Sequence, residues 1–165
     1  MHFVDSLSSR AVPPYDPDVP VDVFTTIEID RKREDVAAYA VDPDHATAWY
    51  KNIESSSWET APPLAVGSRM VFRARFMGRT LEYTYQVLEF VPAVRFVMST
   101  AQGPFPMETT YAWRDSAKGG TVMELRNRGE PTGFSKAMGS LMAPAMRRAN
   151  AKDLARLKVI LESEH

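Results

Sequence analysis

The chain has 165 residues, 44% of them apolar and 25% charged, which suits one globular domain with its own core and excludes a disordered or membrane-spanning chain. Its 20 basic and 21 acidic residues leave a net charge of -1, without the basic excess of a nucleic-acid binder, so no nucleic-acid partner is expected. The absence of cysteine removes disulfides, thiolate metal sites and a cysteine nucleophile, and suits a reducing compartment.

Residues 1–20 hold four of the twelve prolines (Pro13, Pro14, Pro17 and Pro20) and no sustained period. They read as an N-terminal arm, either loose or packed through Phe3, Val4, Leu7 and Val12 onto the body or a second subunit. The opening MHFVDSLSSR has no continuous apolar run and no small-residue cleavage site, so no signal peptide is expected. No stretch approaches the roughly 20 apolar residues of a spanning helix, which predicts no membrane insertion and a cytoplasmic protein.

Residues 21–165 read as one domain. Val21, Val23, Ile27 and Ile29 alternate with Asp22, Phe24, Thr26 and Glu28, the period of a strand with one apolar face. Asp30 is the expected N-cap of a short helix through Tyr39, with Glu34 and Asp35 near its first turn. Asp42-Pro43 then opens a second short helix reaching Trp49, since proline is favoured at the first helical position.

Six strands are predicted next, near 52–60, 68–77, 79–90, 93–101, 107–114 and 120–128. The links are short and rich in glycine and proline, as in an antiparallel meander. Met70, Phe72, Ala74 and Phe76 share one face, as do Leu81, Tyr83, Tyr85 and Val87, then Met107, Thr109, Tyr111 and Trp113, then Met123, Leu125 and Asn127. The intervening positions carry charge, including Arg73 and Arg75, expected on the convex face and paired with Glu82 or Glu59. Only a β-bulge that reversed the register would turn either arginine inward to meet a ligand carboxylate.

The last thirty or so residues switch to a period near 3.6. A helix opening at Thr132 or Gly133 places Phe134, Met138, Leu141, Ala145, Ala149, Leu154, Leu157 and Leu161 on one stripe, and Pro144 with Gly139 is expected to bend it. A twisted seven-stranded sheet with one apolar concave face must be covered, and this helix is the only element long enough. A helix held by a curved sheet leaves room for a small molecule between them.

The element order, with Asp42-Pro43 through Trp49, Val66-Gly67-Ser68, Phe76-Met77-Gly78-Arg79, Glu89-Phe90-Val91-Pro92 and Asp153-Leu154 through Leu161-Glu162, resembles the SRPBCC superfamily over about residues 21–163. These are the helix-grip proteins, which include START lipid-transfer domains and aromatic polyketide cyclases. The resemblance implies an α+β fold in which a seven-stranded curved antiparallel sheet wraps a long C-terminal helix, with two short helices after the first strand. It specifies no activity, because the superfamily mixes binders, carriers and enzymes.

The candidate cavity residues follow from the inward faces. Phe72, Phe76, Tyr83, Tyr85, Thr109, Tyr111 and Trp113 come from the strands, where buried phenols and indoles would bond a ligand or one another. Among the methionines of the strands and helix (Met70, Met77, Met98, Met107, Met123, Met138, Met142 and Met146), a subset would line an adaptable apolar pocket and the rest fill the core. Met98, Met138 and Met142 are the chosen candidates, with Leu141 beside them. Trp49, followed by Tyr50, would gate the mouth or simply pack the second helix onto the sheet.

The histidines are His2, His45 and His165, none in a strand, so no imidazole is expected deep in the cavity, and His45 reads as a surface residue. No metal-ligand spacing, phosphate loop or nucleophile elbow is present, and no metal, cofactor or catalytic residue is expected. The chain therefore reads as a binder or carrier of a hydrophobic small molecule, lipid-like or aromatic. The alternatives are a cyclase or dehydratase using the cavity tyrosines, and a protein-interaction domain with a vestigial cavity. A homodimer stays open.

Overall fold

The computed structural model describes residues 21–130 and 136–164, and of residues 136–139 the backbone only. The N-terminal arm, the expected helix start at Thr132 or Gly133, and Phe134 lie outside the described residues. Strand β1 (Val21–Ile29) is followed by helix α1 (Arg33–Val41), a 3-10 turn (Pro43–His45) and helix α2 (Ala46–Trp49). Strands β2 (Ile53–Trp58), β3 (Arg69–Phe76), β4 (Arg79–Val91), β5 (Arg95–Gln102), β6 (Met107–Asp115) and β7 (Thr121–Gly129) come next, then helix α3 (Lys136–Ser163).

The seven strands form one sheet in the order β1-β7-β6-β5-β4-β3-β2, every neighbouring pair antiparallel. The strands β2 to β7 are a meander, and β1 closes onto β7. The connection through α1 and α2 carries the chain from one edge of the sheet to the other. The helix-grip architecture predicted from the two periods is present.

The cap of α1 differs from expectation. Arg31 N–H bonds the Ile29 carbonyl at 2.9 Å, so Asp30 sits at the apex of a tight turn, two residues short of the cap. Lys32 is the N-cap and its side chain caps nothing, while Glu34 and Asp35 do lie in the first turn beside the positive helix end. Asp42 behaves as predicted: its carboxylate accepts from Asp44 N–H at 2.9 Å, ahead of Pro43 at the first helical position.

Inward-facing Val21, Val23, Ile29, Met123 and Leu125 pack with Val36 of α1 and with Leu154, Leu157 and Leu161 of α3, all essentially without solvent contact. The outer face carries ion pairs, as the alternation predicts. Arg126 forks onto Asp22 with bonds of 2.8 and 2.7 Å, joining β7 to the edge strand β1. Arg73 pairs with Glu82 at 3.1 Å, but Glu59 pairs with Arg69 at 2.8 Å, and Arg75 lies 3.9 Å from Glu54.

Helix α3 continues through Pro144, which lies on the exposed side. Leu154, Leu157 and Leu161 of the predicted stripe are buried as expected, and the departure lies at Leu141 and at the polar residues of the inner face. Met142, Asn150, Asp153, Leu154, Leu157 and Leu161 are buried, whereas Leu141 is 60% exposed and does not enter the interior. An apolar pattern passes over Asn150 and Asp153 because both are polar.

Candidate functional site

A cavity of about 170 Å³ lies between the concave sheet and the middle of α3. Strands β3 and β4 supply Met70, Phe72, Phe76, Leu81, Tyr83 and Tyr85; β5 and β6 supply Phe96, Met98, Met107, Thr109 and Tyr111. Met146, Ala149, Asn150 and Asp153 close it from the helix. Asp42, Asn52, Ile53 and Arg75 line its rim and retain solvent exposure, which places the mouth between the 3-10 turn and the ends of β2 and β3.

The structure brings seven predicted residues together around this space: Phe72, Phe76, Tyr83, Tyr85, Met98, Thr109 and Tyr111. Four others lie elsewhere. Trp49 is fully buried behind Tyr50, its ring 3.8 Å from that phenol ring, so Tyr50 faces the cavity and Trp49 supports it. Trp113 is buried edge-on to Tyr111 at 6.0 Å and contributes packing. Met142 is buried in the core without reaching the cavity wall, and Leu141 points to solvent. The side chain of Met138 lies outside the described residues. Of the methionines, Met70, Met98, Met107 and Met146 line the space, while Met123 fills core.

Side-chain rings give the wall its shape. Phe72 meets Tyr85 edge-on at 5.8 Å, Phe105 meets Tyr83 at 5.9 Å, and Phe96 stacks on Tyr111 at 5.7 Å. The alternation of the strands places these side chains on one face, and their size prevents the close interdigitation that branched aliphatics achieve.

The sequence reading missed a polar line across this apolar chamber. Asn150 donates to the Asn127 amide oxygen at 2.6 Å, and Asn127 donates to Thr109 Oγ1 at 2.8 Å. Thr109 also lies beside the Tyr85 phenol and limits the rise of its pKa. Nearby, the Tyr50 and Tyr111 hydroxyls bond each other. The available signals were Asn127 at an inward strand position, and Asn150 and Asp153 three apart on the helix.

Asp153 is 4% exposed. One of its oxygens accepts from Lys51 N–H at 3.1 Å, and among the described residues no cation forms an ion pair with it. Burial pushes its carboxyl up to about 6; the Lys51 N–H bond and the charges of Arg156 and Lys51 limit the rise. Burial likewise pushes the phenols upward, Tyr85 to about 12 and Tyr50, Tyr83 and Tyr111 also above their ordinary value. The tyrosines are therefore neutral hydrogen-bonding groups at physiological pH. The chamber offers apolar contact to a guest, neutral phenols, and one carboxyl that titrates near neutrality.

His45 lies outside the cavity, stacked on Tyr39 at 4.0 Å with Nδ1 3.2 Å from the Tyr39 carbonyl oxygen. Among the described residues no group of three or more histidine, aspartate or glutamate side chains is placed to hold a metal ion. No described helix is long and apolar enough to cross a membrane.

Fold and chamber together define a helix-grip protein with an internal pocket. The chain belongs to the polyketide cyclase / dehydrase and lipid transport family, whose model matches residues 20–162, and so to the SRPBCC superfamily. Solved structures share the fold at low identity. A START superfamily protein from Mycobacterium smegmatis superposes with a TM-score of 0.71 at 15% identity, over 84% of this chain and 98% of that one. A protein from Thermus thermophilus gives 0.72 at 19% identity, over 87% and 99%. The Zhui aromatase/cyclase from Streptomyces sp. R1128 gives 0.71 at 13% identity, over 86% and 93%. No curated protein sequence matches the chain significantly.

Proposed function

We propose that this chain binds or carries a hydrophobic small molecule, lipid-like or aromatic, in the cavity between β3–β6 and α3. The observation that carries the reading is the cavity itself, walled by aromatic and methionine side chains and crossed by a few placed polar groups. A dry apolar cavity of about 150 Å³ already accepts benzene, so a ring-bearing guest is of the right order. The family, together with the START and aromatase/cyclase names of its structural neighbours, supports the same class of guest.

Magnitudes set what else is needed. Burying about 200 Å² of apolar guest surface is worth about 5 kcal/mol, which alone gives only submillimolar affinity. Polar contacts must supply the rest. Native mass spectrometry of protein purified from its own host tests the reading directly. A retained guest, or a melting temperature raised by members of a lipid and polyphenol panel, is the expected result. Absence of both overturns it.

A second reading, a cyclase or dehydratase, draws support from Asp153, a carboxyl titrating near neutrality inside a cavity beside two phenols. The raised phenols favour hydrogen-bonding over base roles for the tyrosines, which places the proton-transfer duty of that reading on Asp153. Turnover of a polyketide-like substrate that Tyr85→Phe and Tyr111→Phe reduce would favour it over carriage. An interaction domain with a vestigial cavity requires a filled interior, and the open chamber argues against it.

A further inference from the structure

The polar groups of the chamber leave an unfilled pattern. In the Tyr50–Tyr111 pair one hydroxyl donates to the other, so the pair as a whole keeps one O–H to give. The Asp153 carboxylate receives a single hydrogen bond, from the Lys51 backbone, among the described residues. The carboxylate acts on both phenols through its charge, yet no hydrogen bond joins it to either. All three residues line the same cavity. An acceptor short of donors and a donor short of an acceptor thus stand near one another around open space.

One chemical group completes this arrangement on both sides. A hydroxyl donates one hydrogen bond and accepts others. We propose that the cavity selects guests carrying a buried hydroxyl (an alcohol, phenol or enol), which donates to Asp153 and accepts from the Tyr50–Tyr111 pair. The inference rests on the hydrophobic-guest reading and names the polar end of that guest. A carboxylate placed there would set two anions together, and a plain hydrocarbon would leave the buried carboxylate without its donor.

The groups facing Asp153 set the pH behaviour. They are Lys51 from the chain after α2, Arg156 one turn along α3, and the Tyr50 and Tyr111 phenols, which stay neutral through the working range. Asp153 is therefore the group whose state changes near neutrality. Its ionised form is the stronger acceptor, so affinity for a hydroxyl guest rises with pH through about pH 6.

Naphthol, naphthalene and naphthoate share one ring system and differ only at the polar end. Equilibrium dialysis against the intact protein at about pH 7.5 is expected to show naphthol binding about tenfold more tightly than either of the others, as a hydrogen bond to a charged acceptor provides. That advantage should shrink at about pH 5, where naphthol itself stays neutral and Asp153 is protonated. Asp153→Asn should remove the pH dependence, and Tyr111→Phe should reduce the advantage while keeping it. Equal binding of naphthalene and naphthol, or an advantage that Asp153→Asn leaves intact, overturns the inference and spares the cavity reading. Failure of all three to bind, with no response to the lipid and polyphenol panel, overturns both.

Discussion

The two ends of the sheet use the same pattern to opposite effect. Where β7 and β1 pair, the register runs without interruption, and β1 packs against α3. The side chains there are mostly aliphatic and exclude solvent. Arg31 extends this end by donating to the Leu161 carbonyl at 2.6 Å, and Thr121 ties the Arg31 carbonyl with its hydroxyl at 2.7 Å. Toward the other edge the registers slip, between Ile53 and Ser55 against β3, and at Thr84/Tyr85 and Val87/Glu89 against β5. Bulges bend and twist a strand locally, and two of these three adjoin the cavity-lining Ile53 and Tyr85, while the β3–β4 and β5–β6 ladders that also wall the cavity are regular. Aliphatic side chains make a solid core at one end; rings and methionines leave room toward the other.

The contrast breaks most visibly at the packed end. Leu157 has no exposure, and it lies one turn beyond Asp153 without lining the cavity itself. Leu157→Ala should cost about 3 kcal/mol in denaturant unfolding, because tightly packed neighbours do not collapse into the void. Guest affinity of the molecules that remain folded should be unchanged. A loss below about 1 kcal/mol would mean that this end is not the close-packed anchor its burial describes.

Asp153 lies on the boundary between the ends and tests whether the cavity end carries an energetic cost. Its folded carboxyl, near 6, lies above the ordinary value of 3.8. The folded chain therefore binds the proton more tightly than the unfolded chain between about pH 4 and pH 6, and stability falls as pH rises through that window. Above it the penalty is constant. Asp153→Asn should be more stable than the parent by about 3 kcal/mol at pH 7.5 and by little at pH 4, read as the difference between two unfolding-against-pH curves. Parallel curves would show that the carboxyl is solvated after all.

These outcomes bear on how far the amino-acid order reaches. Strand and helix order were legible because period 2 and period 3.6 are direct consequences of burying one face. Tyr83, Tyr85 and Phe72 were legible as inward for the same reason. Alternation gives the side of a sheet but not the depth, so Trp113 was placed at the cavity although it packs beside it. Leu141 faces solvent although it shares the apolar stripe with the buried Leu154, Leu157 and Leu161, and Asn150 and Asp153 share the inner face with those leucines. Polar residues in a buried stripe dilute the very signal that locates it. The bulges were invisible for a similar reason, since an extra residue in a strand looks like an ordinary lapse in alternation.

The smallest effect on stability should come from Gly103, and it probes the cavity wall most finely. A Cβ on Gly103 would lie 2.5 Å from Tyr83 Cδ1. The same addition at Gly120 would meet the Ile29 carbonyl oxygen and the Asp30 backbone, which cannot swing aside. Tyr83 is a side chain beside open space, so its ring can yield by turning inward, away from Gly103. Gly103→Ala should therefore cost less than about 1 kcal/mol of stability, the low end for added volume, because the cavity absorbs the displacement. The same displacement narrows the chamber, and a two-ring guest should bind severalfold more weakly while a single-ring guest is unaffected. That split between guest sizes, measured by dialysis on a variant of near-parent stability, assigns Tyr83 to the cavity wall. Equal weakening of both guests would instead locate the change at the polar end, and unchanged binding of both would remove Tyr83 from the wall.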